Sequence, residues 1–171
     1  MGENFYKEQR LKLKFRIGIG YDAHPLVQNR PLILGGVMID HFKGLWGHSD
    51  ADVLTHAICD ALLGAAGLGD LGLFFPDKDP QWKGVKSLTL LEKCFEKICQ
   101  LNWEIQNIDS IIICQNPKLA PYFPEMIENL SKILQLPKNG IQVKAKTTEK
   151  LGFEGREEGI AAQAICLIGK L

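Results

Sequence analysis

From Val53 to Ala66 the chain is dense in Ala and Leu and free of glycine until Gly64, and Leu54, Ile58, Ala61, Leu62 and Ala65 recur three and four apart. A helix returns such positions to one face every 3.6 residues, so the pattern predicts a helix with an apolar stripe. Asp52, His56 and Asp60, each four apart, fall on the opposite face. A second helix is predicted from Ser87, where Leu88, Leu91, Cys94, Phe95, Ile98 and Leu101 keep the same period with Glu and Lys between them. A third spans Tyr122 to Leu136, with Met126, Ile127, Leu130, Ile133 and Leu134 inward. Elsewhere the period shortens to two. Phe15 to Tyr21 reads as a strand that stops at the turn signal His24-Pro25. Pro31 to Leu34 and Val37 to Ile39 flank Gly35-Gly36 as a hairpin that shapes the scaffold and suggests no chemistry. Ser110 to Cys114 is a short β-branched run of the central-strand kind, Ile141 to Lys146 alternates, and Ile160 to Ile168 is a last strand, apolar on both faces.

The order strand, hairpin, helix, helix, strand, helix, strand, strand predicts an α+β fold in two layers, with helices packed on one face of a mixed β-sheet. A small three-layer α/β fold is the alternative. A chain of 171 residues is long enough for one domain with a real core, and no repeat or linker interrupts it. Residues 1–14 are polar and basic without an apolar core, unlike a secretory signal, and read as a disordered extension ahead of a single catalytic domain over 15–171. The formal net charge of zero gives no bulk attraction for nucleic acid, and no apolar run approaches the roughly 18 residues of a membrane span. Cys59, Cys94, Cys99, Cys114 and Cys166 are odd in number, lack a CxxC pair and mostly sit in apolar runs, as small buried hydrophobes of a reducing compartment do.

Chemistry gathers in Gly47 to Asp60, which holds His48, His56, Asp50, Asp52 and Asp60. Ser49 followed by Asp52 resembles a capping box for the helix that follows, a reading that does not reach His56 one turn further in. Asp22-Ala23-His24 at the end of the first strand is a second candidate: in extended chain, side chains two apart share a face, so the pair forms a two-ligand claw. Its bland alternative is an ordinary turn. Asp22, His24 and one histidine of the helix region would supply one oxygen and two nitrogens, a set suited to tetrahedral zinc with a fourth position open. Spacing leaves His48 and His56 both available. A helix fixes the direction of His56, and Asp52 or Asp60 could orient it. The stretch from Gly67 to Pro80 reads as a loop forming a lid or substrate wall, or as one that Phe74 and Phe75 merely anchor. His41 reads as solvated. Lys118, Thr147, Thr148, Lys150 and Arg156 are donors suited to phosphate oxygens. Glu149 among them suits a hard cation such as Mg²⁺.

GYDAHPL, GHSDADVLTHAICDALLGAAGLGDLGLFFPDKDP, QNPK and KTTEKLGFEGR together resemble the 2-C-methyl-D-erythritol 2,4-cyclodiphosphate synthases of non-mevalonate isoprenoid biosynthesis, from about Arg16 to the end. The resemblance implies a lyase that cyclises 4-diphosphocytidyl-2-C-methyl-D-erythritol 2-phosphate and releases CMP. It implies zinc on Asp22, His24 and His56, and Mg²⁺ or Mn²⁺ on Glu149, bridging the substrate's diphosphate. His48 and Thr147 then stabilise the transition state, with His48 and Ser49 also touching substrate beside Asp22 and His24. Asp70, Gly72, Phe75, Pro76, Asp77, Lys78 and Asp79 hold the erythritol phosphate, and Cys114, Gln115, Asn116, Pro117, Lys118, Leu119 and Ala120 form the cytidine pocket. Thr148, Phe153 and Arg156 are further substrate-side or cavity residues. Lys146 departs from the pattern, in which a hydroxyl residue often precedes the paired threonines, and its part in the substrate site stays open. The resemblance further implies a homotrimer with active sites between subunits, in the bacterial cytoplasm or, as an open alternative, a plastid. Two other readings are a zinc phosphohydrolase, where water attacks, and a non-catalytic trimer that binds isoprenoid diphosphates.

Overall fold

The structure, a computed structural model, describes residues 15–76 and 78–170; the expected extension over 1–14 and the expected substrate residue Asp77 lie outside the described residues. The first strand, β1 (Phe15–Gln28), continues well past Tyr21. It runs antiparallel to β7 (Gly159–Gly169) from Phe15 opposite Gly169 to Pro25 opposite Gly159, and its end pairs with β4 (Lys43–Leu45). Pro25 does not stop the strand because of where it falls. Alternate residues of an antiparallel strand address opposite neighbours; Leu26 N–H donates to Glu158 O at 2.8 Å, while Pro25 C=O accepts from Trp46 N–H at 3.0 Å. The nitrogen of Pro25 therefore faces past the end of β4, where no ladder bond is lost.

β2 (Leu32–Leu34) and β3 (Val37–Ile39) form the expected hairpin, with Gly35 and Gly36 at φ 57° and 71°, the doubly left-handed turn that glycine adopts without strain. The main sheet has the order β4-β1-β7-β5-β6. Only β5 (Glu104–Ile113) and β6 (Ile141–Lys146) run parallel, so the sheet is mixed. β5 begins at Glu104, ahead of the apolar run at Ser110; its first half sets only Ile105 and Ile108 among polar residues and shifts register between Ile105 and Asn107, which hides the strand period.

The α1 helix (Val53–Ala66) has the bounds its pattern predicts, closed by Gly67 in the left-handed conformation. It lies on β1 and β7, with α3 (Ser87–Gln100) packed on it, and α4 (Phe123–Leu134) between α3 and β6. Of two short helices, α2 (Leu71–Phe74) follows α1 after a short turn and α5 (Gly152–Gly155) follows the loop that leaves β6. The helices share one face of the sheet, as an α+β two-layer fold requires. One expectation fails here: α1 is not half polar and open. Asp52, Thr55 and His56 are buried along with its leucines, because the helix is covered by sheet below and α3 above. β7, apolar on both faces as its sequence reads, is buried along most of its length, with Ile165 half exposed.

What seats α1 on the sheet is the small face of β1. A β-carbon at Gly18 or Gly20 would collide with the backbone carbonyl oxygens of Ala61 and Ala57. On the other face of the same strand Phe15, Ile17, Ile19 and Tyr21 stand exposed. Gly18→Ala should therefore cost about 3 kcal/mol or more, since backbone cannot yield as a side chain does. A urea titration followed by circular dichroism checks it; an unchanged midpoint would mean that α1 sits farther from β1.

Candidate active site

Gly18, Gly20, Asp22 and His24 share one face of β1 by the period of two, so the strand that touches α1 through its glycines turns its carboxylate and imidazole toward α1 as well. There they meet His56. Asp22 Oδ2 lies 2.8 Å from His56 Nδ1 and 3.1 Å from His24 Nε2, and the two nitrogens are 3.3 Å apart. These ligand atoms form a group that could hold a metal ion. Burial works against charge on Asp22, yet hydrogen bonds and the charges of His24 and His56 outweigh it and hold its carboxyl far below the usual range. Burial likewise opposes charge on His56, and the carboxylate of Asp22 overcomes it, raising the imidazole above its ordinary value. An anion and two imidazoles so converged are a cation site in electrostatic terms. His48 is not in this group.

The far side of His56 is built by residues the sequence did not single out for this purpose. Nε2 is 2.8 Å from Ser87 Oγ, at the first residue of α3, and 3.2 Å from Ser49 Oγ. Ser87 Oγ in turn donates to Asp50 Oδ1, and Ser87 N–H donates to Asp50 Oδ2 at 3.0 Å. Neither Asp52 nor Asp60 orients His56. Asp52, rather than Ser49, caps α1: its carboxylate accepts from Thr55 N–H at 3.0 Å and Thr55 Oγ1 at 2.7 Å, and from the hairpin amides of Gly35 at 3.0 Å and Gly36 at 2.8 Å. Burial raises its carboxyl even so. Asp60 accepts from Leu71 N–H at 2.7 Å and so holds the start of α2.

The three converged groups stand in the wall of a cavity of ≈ 1140 Å³, lined also by Arg30, Trp46, His48, Ser49, Asp70, Gly72, Phe75 and Trp82. Arg30 was not foreseen. Its Nε donates to Leu45 O and its Nη2 to Ser49 O, both at 3.1 Å, so one guanidinium clamps both ends of the turn that carries His48. The expected open loop after α1 is partly helical. Asp70 caps α2 by accepting from Leu73 N–H at 2.8 Å, and Phe75 is buried with its ring edge-on to Trp82, centroids 4.9 Å apart. Phe75 thus anchors the segment as well as lining the cavity. Of the other residues expected there, Pro76, Lys78 and Asp79 do not line it; Asp79 caps the turn Pro80–Trp82. His41 is not solvated: it is half buried, its ring lies against Phe42, and its Nε2 is buried without a hydrogen-bond partner among the described residues.

A second group of expected residues lies apart. Cys114 to Ala120 leaves β5 and Lys146 to Glu149 leaves β6; the parallel pairing sets the two side by side, with Cys114 N–H donating to Lys146 O at 2.9 Å. Lys150 N–H reaches Gln115 Oε1 at 3.3 Å, and Thr147 Oγ1 donates to Glu149 Oε1 at 2.8 Å. Burial pushes the Cys114 thiol up to about 11, which leaves it a poor nucleophile. Arg156 pairs with Glu158 at 2.9 Å, and Phe153 packs by Gly159. None of the residues from Cys114 to Ala120 or from Lys146 to Arg156 lines the cavity that holds His48 and the Asp22–His24–His56 group.

Comparison with known proteins adds to this geometry. The YgbB family model matches residues 15–169. The 2-C-methyl-D-erythritol 2,4-cyclodiphosphate synthase of Syntrophobacter fumaroxidans is 55% identical over 90% of this chain and 96% of its own length. That of Clostridium perfringens is 58% identical over 91% and 99%. Among solved structures, a 2C-methyl-D-erythritol-2,4-cyclodiphosphate synthase in its CDP-bound form superposes with a TM-score of 0.83 at 37% identity, over 90% of this chain and 99% of that one. The bifunctional IspDF from Campylobacter jejuni superposes with a TM-score of 0.88 at 43% identity, over 92% of this chain and 42% of that one.

Because Asp52 satisfies buried donors from two elements, Asp52→Ala should lower stability by about 3 kcal/mol, the cost of orphaned amides. Thermal and urea unfolding measure it, and a loss under about 1 kcal/mol would show that water replaces the carboxylate there.

Proposed function

The chain belongs to the YgbB family, and from that premise we propose how its residues carry out the reaction its relatives are named for. It cyclises 4-diphosphocytidyl-2-C-methyl-D-erythritol 2-phosphate to 2-C-methyl-D-erythritol 2,4-cyclodiphosphate with release of CMP. The observation that carries the reading is the convergence of Asp22, His24 and His56 on the wall of the cavity shared with His48 and Ser49. Zinc suits those ligands: a tetrahedral ion with nitrogen and oxygen at 2.0–2.1 Å needs ligand atoms roughly 3.3 Å apart, and the three here are 2.8, 3.1 and 3.3 Å apart. Glu149, exposed and fixed by Thr147, suits Mg²⁺ or Mn²⁺ as the protein's single carboxylate to an ion otherwise held by substrate phosphate. When bound, the two metals polarise and neutralise phosphate oxygens.

The remaining chemistry is positioning. The substrate's own 2-phosphate attacks the β-phosphorus, a phosphorus–oxygen bond to CMP breaks, and no water enters, which makes the enzyme a phosphorus–oxygen lyase. Nucleophile and electrophile are tethered, so the protein needs only to align them and stabilise charge. His48 and Ser49 present donors from the turn clamped by Arg30. Asp70 and Gly72 hold the erythritol end, Lys118 and Thr147 meet the diphosphate, and the loops from Cys114 and Lys146 hold the cytidine. A group split between two places in one chain calls for a neighbouring copy. The homotrimer is supported by that split and by the exposed row of Phe15, Ile17, Ile19 and Tyr21, an apolar strand face of the kind that subunits cover. No described helix is long and apolar enough to cross a membrane. Free cysteines and bacterial relatives support a cytoplasmic enzyme.

Two experiments test this. His56→Ala should fold, with native circular dichroism, but lose bound zinc and CMP release; unfolding of that variant would make His56 structural, and a linear hydrolysed product from the wild type would make the enzyme a phosphohydrolase. Co-expressing His56→Ala with Thr147→Ala should restore about a quarter of the wild-type rate, since random assembly leaves that share of shared sites with both residues intact. No restored activity would place each site within one subunit.

A further inference from the structure

We propose that Ser87 and Asp50 are positioning residues that fix His56 as the Nε2–H tautomer and so present its Nδ1 lone pair to the metal. The inference rests on the metal reading above and adds how the ligand is made ready. A carboxylate accepts hydrogen bonds and cannot give one, and a serine hydroxyl has a single proton. Asp50 takes that proton from Ser87 Oγ and also accepts Ser87 N–H at 3.0 Å. The Oγ of Ser87 is thereby left only lone pairs for His56 Nε2, 2.8 Å away, so Nε2 must carry the hydrogen. The other nitrogen, Nδ1, faces Asp22 at 2.8 Å and His24 at 3.3 Å; a metal there would displace the proton that Nδ1 gives to Asp22, and with Nε2–H held by Ser87 the ring left would be neutral with its Nδ1 lone pair on the metal.

Ser49 does not take this role. Its Oγ is farther from Nε2, at 3.2 Å, and it already accepts from Ala51 N–H at 3.1 Å; with the proton of Ser87 directed at Asp50, the proton of Ser49 can turn to Ser87 Oγ, 3.4 Å away, or to the cavity. Ser87 is fully buried and has no such freedom. The pair is also held from outside. His48 O accepts from Gly84 N–H at 2.9 Å and Asp50 N–H donates to Val85 O at 3.2 Å, so the turn bearing His48 and Ser49 is laced to the segment leading into Ser87. Asp50 in turn accepts from the first amide of α3, where a helix favours an anion. One carboxylate thus ties together the start of α3, the substrate-facing turn and the ring of a metal ligand.

The test is a zinc competition against a chromophoric chelator, together with ¹⁵N histidine NMR of the zinc-free protein. Ser87→Ala and Asp50→Asn should each bind zinc about 10- to 100-fold more weakly, the range seen when partners of a ligating histidine are removed, and Ser87→Thr, which keeps the hydroxyl, should recover most of the loss. In the zinc-free wild type His56 should carry hydrogen on Nε2 whether or not Nδ1 is also protonated toward Asp22, and Ser87→Ala should show a population with Nε2 bare. Wild-type zinc affinity and an unaltered His56 signal in Ser87→Ala would overturn the proposal, as would an Nε2 without hydrogen in the wild type even if the variants fail to fold. If the wild type takes up no zinc in the same titration while His56 keeps the Nε2–H form, it is the metal reading that falls, and with it the purpose assigned to the pair.

Discussion

The close approach of β1 to α1 sets everything that follows. With glycine at 18 and 20, strand backbone meets helix backbone at Ala61 and Ala57, and no side chain stands between them. A helix seated that low brings His56 within hydrogen-bonding distance of Asp22, two residues beyond Gly20 on the same strand face. Larger residues at either glycine would lift α1 and part the ligand atoms, which a metal site tolerates only over a few tenths of an ångström. The packing constraint and the chemical one are therefore the same constraint, carried by one strand.

The carboxylates show how a cluster that looks like one site is divided among several tasks. Asp50, Asp52 and Asp60 lie in or beside one helix, yet each satisfies backbone amides of a different element: Asp50 the start of α3, Asp52 the hairpin and α1, Asp60 the start of α2. Buried amides need partners wherever they fall, and acids beside a crowded helix are the partners at hand. Only Asp22, on the strand opposite, is left to face both imidazoles. That division leaves one carboxylate facing two imidazoles, a set of ligand atoms that could hold a metal ion.

The local parts of this design were readable. The bounds of α1, the hairpin around Gly35-Gly36 and the shared face of Asp22 and His24 follow from periods of 3.6 and two and from turn chemistry, and the structure has them all. Extension of β1 through Pro25 was not readable, because a proline is admitted to a strand only where a neighbouring ladder ends, and β4 is a three-residue strand with no pattern of its own. Ser49 was a plausible cap by spacing, but Asp52 won that position because it could serve the hairpin as well. The roles of Ser87, Asp50 and Arg30 depend on contacts between distant segments. A serine at a helix start looks like local punctuation until its neighbour across the fold is known.

The same strand carries one further consequence. FRIGIGY alternates large and small residues, and its two faces are spent differently: glycines toward α1, and Phe15, Ile17, Ile19 and Tyr21 outward with nothing among the described residues to cover them. A row of exposed aromatic and β-branched residues on a central strand is costly in water and becomes favourable only against another surface. The loops from β5 and β6, meanwhile, sit beyond β7 from β1, outside the cavity that holds the converged Asp22, His24 and His56. Association through the outer face of β1 would remove the apolar row from water and give those loops a neighbouring cavity to serve. The seating of α1 and the convergence of Asp22 and His24 on His56 thus trace to one alternating segment and the residues that follow it, which explains why its small residues are as demanding as its polar ones.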